Sequence, residues 1–268
     1  MKRRPLPDLV GDPADVAFFT EQMASHRNQI FARTMRMLPS EPRCRMCRAP
    51  FGGGGGAIMR RFGFGPSRKN PTICNTCFEK APMGGVELEI GVLFADVRGY
   101  TAMTEKMAPE DVAQLMNRFY AAATDVLMQS AIIDKLVGDE VMALYVPFTL
   151  GEHWADHLTR DAAALLTAVG YGTSDQWLNL AVGIDVGRAY VGNVGSGDVK
   201  DFTALGDVVN TASRLLAKAE GGQVVMSERL FGRLAHPPAG ATPAVFELKG
   251  KQEPEPARVL DLSAAGTG

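Results

Sequence analysis

Apolar and polar positions follow one pattern early in the chain and another later. Between residues 13 and 38 the apolar side chains Val16, Phe18, Phe19, Met23, Ile30, Phe31, Met35 and Leu38 fall mostly three or four apart, which is one face of a helix. Asp12 before Pro13 suits an N-cap followed by proline in the first turn, and Pro39 ends the run. Residues 41–80 show no period. From Val86 the pattern alternates. It predicts a strand over 86–95, a helix near 109–129, a hairpin over 131–147 and a helix near 152–169. Strands follow at 178–187, 189–194 and 200–205, then a helix at 207–219, a strand at 222–227 and a last pair near 244–249 and 256–262. That order predicts helices on a mostly antiparallel sheet, an α+β architecture.

Within that region the run Val92–Ala95 is apolar and ends on a carboxylate, Asp96. A continuous apolar run reads as a strand buried on both faces. An acid at its end is poorly placed for solvation and well placed to hold a hard cation. Asp139 lies at a Gly-Asp turn between two further apolar runs, Ile132–Val137 and Val141–Val146, which reads as a β-hairpin. Neighbouring strands can bring Asp139 beside Asp96, and two converging carboxylates suit metal-dependent phosphoryl transfer.

Composition is that of a globular protein, with 46% hydrophobic and 22% charged residues. No run approaches a membrane span, and the start, MKRRPLPDLVGD, lacks the apolar core of a signal peptide. A cytoplasmic protein with no membrane partner is expected. The net charge of −2 hides an asymmetry. Residues 41–80 hold eight Lys/Arg against two acids, whereas residues 81–268 hold 14 basic against 24 acidic residues. A small basic block joined to an acidic domain implies two units.

All four cysteines fall in the basic block, as Cys44-x-x-Cys47 and Cys74-x-x-Cys77. Two such pairs in a short module signal a metal site. Structural Zn²⁺ is the expectation; an iron–sulfur cluster uses the same ligands, and free or redox thiols are the remaining reading. The glycine run 52–56 is expected to be a flexible connection, because no Gly-Lys-Ser/Thr follows it. Arg60, Arg61, Arg68 and Lys69 are expected to form a solvated face or a docking surface, and nucleic acid is not expected as a partner. His153 and His157, four apart, read as an exposed helix face, and His236 has no evident partner in the sequence.

Glycines at 183, 187, 192, 195 and 197 imply tight hairpins and close backbone approach. Asp207 is a plausible N-cap for the helix that follows. Asn210 and Arg214 lie four apart on one face of that helix, where an amide and a guanidinium can meet a ribose and a phosphate together. Lys249 and Lys251 flank a glycine turn.

Four segments in order, FADVRGYT, KLVGDEVMALY, VGIDVGRAYVGNVG and FTALGDVVNTASRL, resemble the catalytic domain of the class III adenylate/guanylate cyclases. The resemblance covers about residues 84–262, leaving an N-terminal helix (1–40) and a zinc-ribbon-like module (41–83) outside it. It implies a ferredoxin-like fold, a homodimer with active sites at the interface, and two Mg²⁺ or Mn²⁺ ions per site. Position by position it implies that Asp96, Asp139 and the main chain of Val97 hold metal. It implies that Lys135 and Thr203 read the purine, that Asn210 orients the ribose, and that Arg214 stabilises charge on the reacting phosphates. Lys249, or else Lys251, would grip the terminal phosphates. Lys135 with Thr203 matches the ATP-selective bacterial version, because a lysine donates to adenine N1 whereas guanine presents a donor there. The implied reaction is ATP to 3′,5′-cyclic AMP and pyrophosphate. The competing readings are a guanylate cyclase, a non-catalytic nucleotide-sensing relative, and a zinc-dependent nucleic-acid-binding protein.

Overall fold

The computed structural model describes residues 8–24, 37, 41–68, 70–81, 83–196 and 199–263. Its elements in chain order begin with β1 (Val10–Gly11), α1 (Pro13–Ala24), α2 (Gly53–Arg60), α3 (Asn75–Lys80) and β2 (Gly85–Val97). Next come α4 (Tyr100–Thr104), α5 (Pro109–Leu127), β3 (Ile132–Val137), β4 (Glu140–Tyr145), α6 (Pro147–Leu150) and α7 (Trp154–Ala168). The last are β5 (Leu180–Ser196), β6 (Val199–Leu205), α8 (Asp207–Leu216), β7 (Gln223–Ser227), α9 (Glu228–Phe231), β8 (Thr242–Phe246) and β9 (Glu255–Asp261).

The described strands form one sheet in the order β3-β4-β2-β5-β7-β9-β8, with β1 added beside β2 and β6 beside β5. Every pairing is antiparallel except β5 with β7. This is the expected α+β layering. Strand β2 organises it, with period-two alternation sending its side chains to opposite faces. Val86, Leu88, Ile90, Val92 and Phe94 join one apolar core together with Val208, Ala212, Leu215 and Leu216 of α8. Leu93, Ala95 and Val97 join the other, under Met116, Phe119, Ala123 and Leu127 of α5 and Leu158, Ala162, Leu165 and Leu166 of α7.

Several local expectations need correcting. Strands 178–187 and 189–194 are one 17-residue strand, β5. Its internal glycines serve close approach instead of turns: a Cβ at Gly183 would lie 2.2 Å from Leu216 N, and one at Gly192 would lie 2.4 Å from Gly85 Cα. The glycine run is not a slack connection either. It forms α2, with Gly56 N–H donating to Gly52 O at 2.8 Å and Arg60 Nη1 donating to Phe51 O at 2.8 Å. Asp207 is the first residue of α8 and Gly206 the cap. Near the start, β1 pairs with β2. At α1, Asp12 Oδ1 does accept from Ala14 N–H at 2.9 Å; the expected continuation to Leu38 lies outside the described residues apart from Met37. His236 has a partner that its sequence context hides: its Nδ1 stands 3.2 Å from Asp156 Oδ2.

The cysteine module does not stand apart. Cys44, Ala49, Phe51, Met59, Ile73, Cys74 and Phe78 are buried in the same apolar cluster as the α8 face of the sheet. Arg45 Nη2 donates to Met128 O and Arg48 Nη2 to Thr149 O, so basic residues of this block dock on main-chain carbonyls at the ends of α5 and α6. Asn193 Nδ2 donates back to Ala81 O at 3.3 Å.

Candidate active site and metal centre

Asp96 continues the even-numbered series of β2 and so lies on the α8 face. The β2–β4 register sets it opposite Glu140, one residue from Asp139 at the β3–β4 turn, where Gly138 takes a φ of 60°. Val97 is buried there, and its N–H donates to Asp139 O at 3.3 Å. Burial, then repulsion by Asp139, pushes the Asp96 carboxyl up to about 6, against the pull of Arg98. Two crowded oxygen donors, one of them reluctant to ionise without a counter-charge, fit a hard divalent cation.

Arg98 is a participant that sequence reasoning passed over. Its Nη1 stands 3.5 Å from Asp96 Oδ2, its main-chain N–H donates to Asn179 O at 2.7 Å, and its Nη2 donates to Leu216 O. It thus straps the acid-bearing end of β2 to the end of α8. A lone arginine after a strand carries no signal of that reach.

Lys135 and Thr203, 68 residues apart in sequence, come together. Lys135 Nζ stands 3.4 Å from Thr203 Oγ1, 3.3 Å from Asp134 Oδ2 and 3.0 Å from Asp201 Oδ2. Thr203 Oγ1 donates to Asp134 Oδ2 at 3.1 Å. Asp134 and Asp201 were not foreseen. Asp134 is the inner of two adjacent polar residues on an edge strand, and the shift in β3–β4 register between Ile133 and Lys135 defeats a simple in-out reading of which one is buried.

Asn210 and Arg214 share one side of α8, with Asn210 exposed and Arg214 half-buried. The Arg214 guanidinium lies over the turn at Gly250, where an added Cβ would be 3.4 Å from Nη2. Lys249 on that turn is exposed, whereas Lys251 is tied down, with Nζ 2.7 Å from Asp207 Oδ2 and 3.7 Å from Glu255 Oε2. A groove lined by Lys218, Lys249 and Lys251 together with Glu247 and Glu253 opens beside them. Among the described residues no ion pair joins Asp96 or Asp139 to Lys135, Arg214 or Lys249.

The four cysteine sulfurs all lie within 4.8 Å of one another, and Cys47 Sγ is 3.7 Å from Cys74 Sγ. Tetrahedral zinc–thiolate bonds of about 2.3 Å require sulfurs about 3.8 Å apart, so the donor set fits. Main-chain N–H groups point at the sulfurs, Cys74 N to Cys44 Sγ at 3.3 Å and Cys77 N to Cys74 Sγ at 3.4 Å. Burial raises the Cys44 thiol, but the four crowded sulfurs share hydrogen bonds, which hold Cys44 and Cys74 below the ordinary thiol range while Cys47 and Cys77 are pushed above it.

Crowded strand-end acids, a lysine–threonine pair and a lysine-bearing groove beside α8 define a nucleotide-handling domain. The profile of the adenylate and guanylate cyclase catalytic domain matches residues 86–255, more than half of the chain, and the chain belongs to that family of nucleotide cyclases. An adenylate cyclase of Anabaena cylindrica is 28% identical over 198 residues, which is 65% of this chain and 38% of that protein. The chain thus spans well under half the length of that relative. Among solved structures, the guanylyl cyclase Cya2 is similar with a TM-score of 0.61 at 25% identity, covering 69% of this chain and 96% of that one. The adenylyl cyclase CyaB from P. aeruginosa is similar with a TM-score of 0.56 at 26% identity, covering 65% and 95%. Among the described residues no helix is long and apolar enough to cross a membrane.

Proposed function

We propose that this chain is an adenylate cyclase that acts as a homodimer, with residues 84–262 as its catalytic unit. The observation that carries the reading is the Lys135–Thr203 contact. It sets an obligate donor beside a hydroxyl, which suits the N1 acceptor and N6 amine of adenine, and the donor opposes the N1–H of guanine. The similarity to Cya2 keeps guanylate cyclase as the second reading, and Lys135 argues against it.

In the proposed reaction the ribose 3′-oxygen forms a bond to the α-phosphorus, the bond from that phosphorus to the bridging oxygen breaks, and pyrophosphate leaves; the 3′-hydroxyl proton passes to solvent. Mg²⁺ or Mn²⁺ held by Asp96, Asp139 and the Val97 carbonyl would supply acidification of that hydroxyl and neutralise triphosphate charge. Asn210 holds the ribose in line and Arg214 meets the charge that develops on the phosphates. Lys249, being exposed where Lys251 is already paired, takes the terminal phosphates. The acid pair makes no ion pair with these cations within one chain, which suits acids from one protomer facing cations from its partner. The four cysteines hold a structural Zn²⁺, and thiolate ligands in place of disulfides suit a reducing compartment, the cytoplasm.

The test is product formation by the full chain from ATP and from GTP, each with Mg²⁺ and with Mn²⁺. Cyclic AMP from ATP alone is expected. Cyclic GMP as the main product would favour the second reading, and silence with all four combinations would favour a nucleotide-sensing relative.

A further inference from the structure

Thr203 reads a purine only if the direction of its hydroxyl is fixed, because a threonine O–H both donates and accepts. Free to rotate, it would accept from an adenine N6 amine or donate to a guanine O6 with equal ease. The Lys135 ammonium, 3.4 Å away, cannot fix it by taking the proton, since it carries donors only. The group that can is Asp134. Its side chain has no exposed surface, its Oδ2 accepts from Thr203 Oγ1 at 3.1 Å, and the same Oδ2 stands 3.3 Å from Lys135 Nζ. The other carboxylate oxygen, Oδ1, is buried without a hydrogen-bond partner among the described residues. Burying a carboxylate half-satisfied is costly, and a charge placed there for stability alone would be expected to have both oxygens paired.

We infer that Asp134 is a positioning residue for base selection: it accepts the hydrogen bond of the Thr203 hydroxyl, so that the Thr203 oxygen presents a lone pair, and hence an acceptor, to the purine. The deduction rests on the adenylate cyclase reading of this site and deepens it. Lys135 and Thr203 then form a complementary pair, one fixed as donor and one as acceptor; Asp134 binds the hydrogen of Thr203 and shares the Lys135 ammonium with Asp201. Guanine meets a donor opposite its N1–H and an acceptor opposite its O6, so it is refused twice.

The test is the ratio of kcat/KM for ATP to that for GTP, measured on the full-length protein. Asp134→Ala removes the acceptor, and the ratio is expected to fall by about tenfold, the value of roughly one hydrogen bond. Asp134→Asn keeps a carbonyl acceptor for Thr203 and should retain most of the selectivity. A purely structural role would lower both activities together and leave the ratio where it was, which overturns the assignment, as would an Asn variant as unselective as the Ala variant. If Asp134→Ala does not fold, the wild type still decides. Purine riboside triphosphate, which lacks the N6 amine, should be turned over about tenfold less efficiently than ATP; equal turnover overturns the assignment. Wild-type preference for GTP would overturn the adenine reading and this assignment together, whereas an ATP-selective wild type with an unchanged ratio in Asp134→Ala overturns this assignment alone.

Discussion

The substitution Gly183→Ala isolates how α8 is held. Gly183, the fourth residue of β5, pairs with Phe94 on one side and Val225 on the other, so the strand cannot retreat. A Cβ there would sit 2.2 Å from Leu216 N, 2.5 Å from Ala212 O and 2.6 Å from Leu216 Cα. Those are main-chain atoms of α8, with no flexible side-chain end to swing aside. Restoring ordinary contact would lift the helix from the sheet by on the order of 1 Å. Overpacking of this kind costs about 1–3 kcal/mol, which in a protein of this size lowers Tm by roughly 2–4 °C per kcal/mol. Asn210 and Arg214 ride on the displaced helix, and a misplacement of about 1 Å can cost about 10²-fold in rate. The expected result is therefore a modest loss of Tm with a much larger loss of kcat. Calorimetry and steady-state assay of cyclic AMP formation check it. An Ala variant with wild-type Tm and kcat would refute the claim that close helix–strand contact positions these two side chains.

Three further outcomes are expected. Mixing Asp96→Ala chains with Arg214→Ala chains should regain activity that neither has alone, because one intact shared site forms per heterodimer; no recovery in heterodimers shown to form by pull-down would rule out sharing. Cys74→Ser should lose zinc, measured by metal analysis of the purified protein, and lower Tm by several degrees; a wild type purified metal-free with four reactive thiols would contradict this. In the proposed site a proton on Asp96 competes with the cation, and that carboxyl is pushed up to about 6. The Mn²⁺ concentration for half-maximal activity should therefore rise as pH falls through 6 and level off above about 7; a flat dependence from pH 5 to 8 would contradict it.

Much of the catalytic half was legible because strand physics leaves clear marks. The apolar run Val92–Ala95 before Asp96, and a Gly-Asp turn between two more such runs, fix a strand-end acid beside a turn acid through antiparallel register alone. The cysteines were legible because thiol pairs at that spacing have few other uses. Arg98 and Asp134 were not, since their roles depend on which distant carbonyl or hydroxyl the fold brings up, and nothing local encodes that. The glycine run misled for a related reason. Its sequence favours disorder, but packing on Glu41, Pro42 and Phe51 imposes a helix: Cβ atoms at Gly52 and Gly56 would sit 2.4 Å from Glu41 O and 2.3 Å from Phe51 O. The strand β5 was split at its glycines because the sequence does not say whether a glycine bends the chain or makes room for a neighbour.

The apolar cluster that runs without a break from Cys44, Phe51 and Phe78 into Val86, Leu88 and Ile90 has a consequence for engineering. The match to the family profile begins at residue 86, yet the surface under the preceding module is greasy, so the family unit and the unit that keeps itself dry are of different sizes. Grafting this catalytic half onto a foreign sensor at the family boundary would therefore yield a sticky protein, whereas a graft made upstream of Glu41 would carry its own lid.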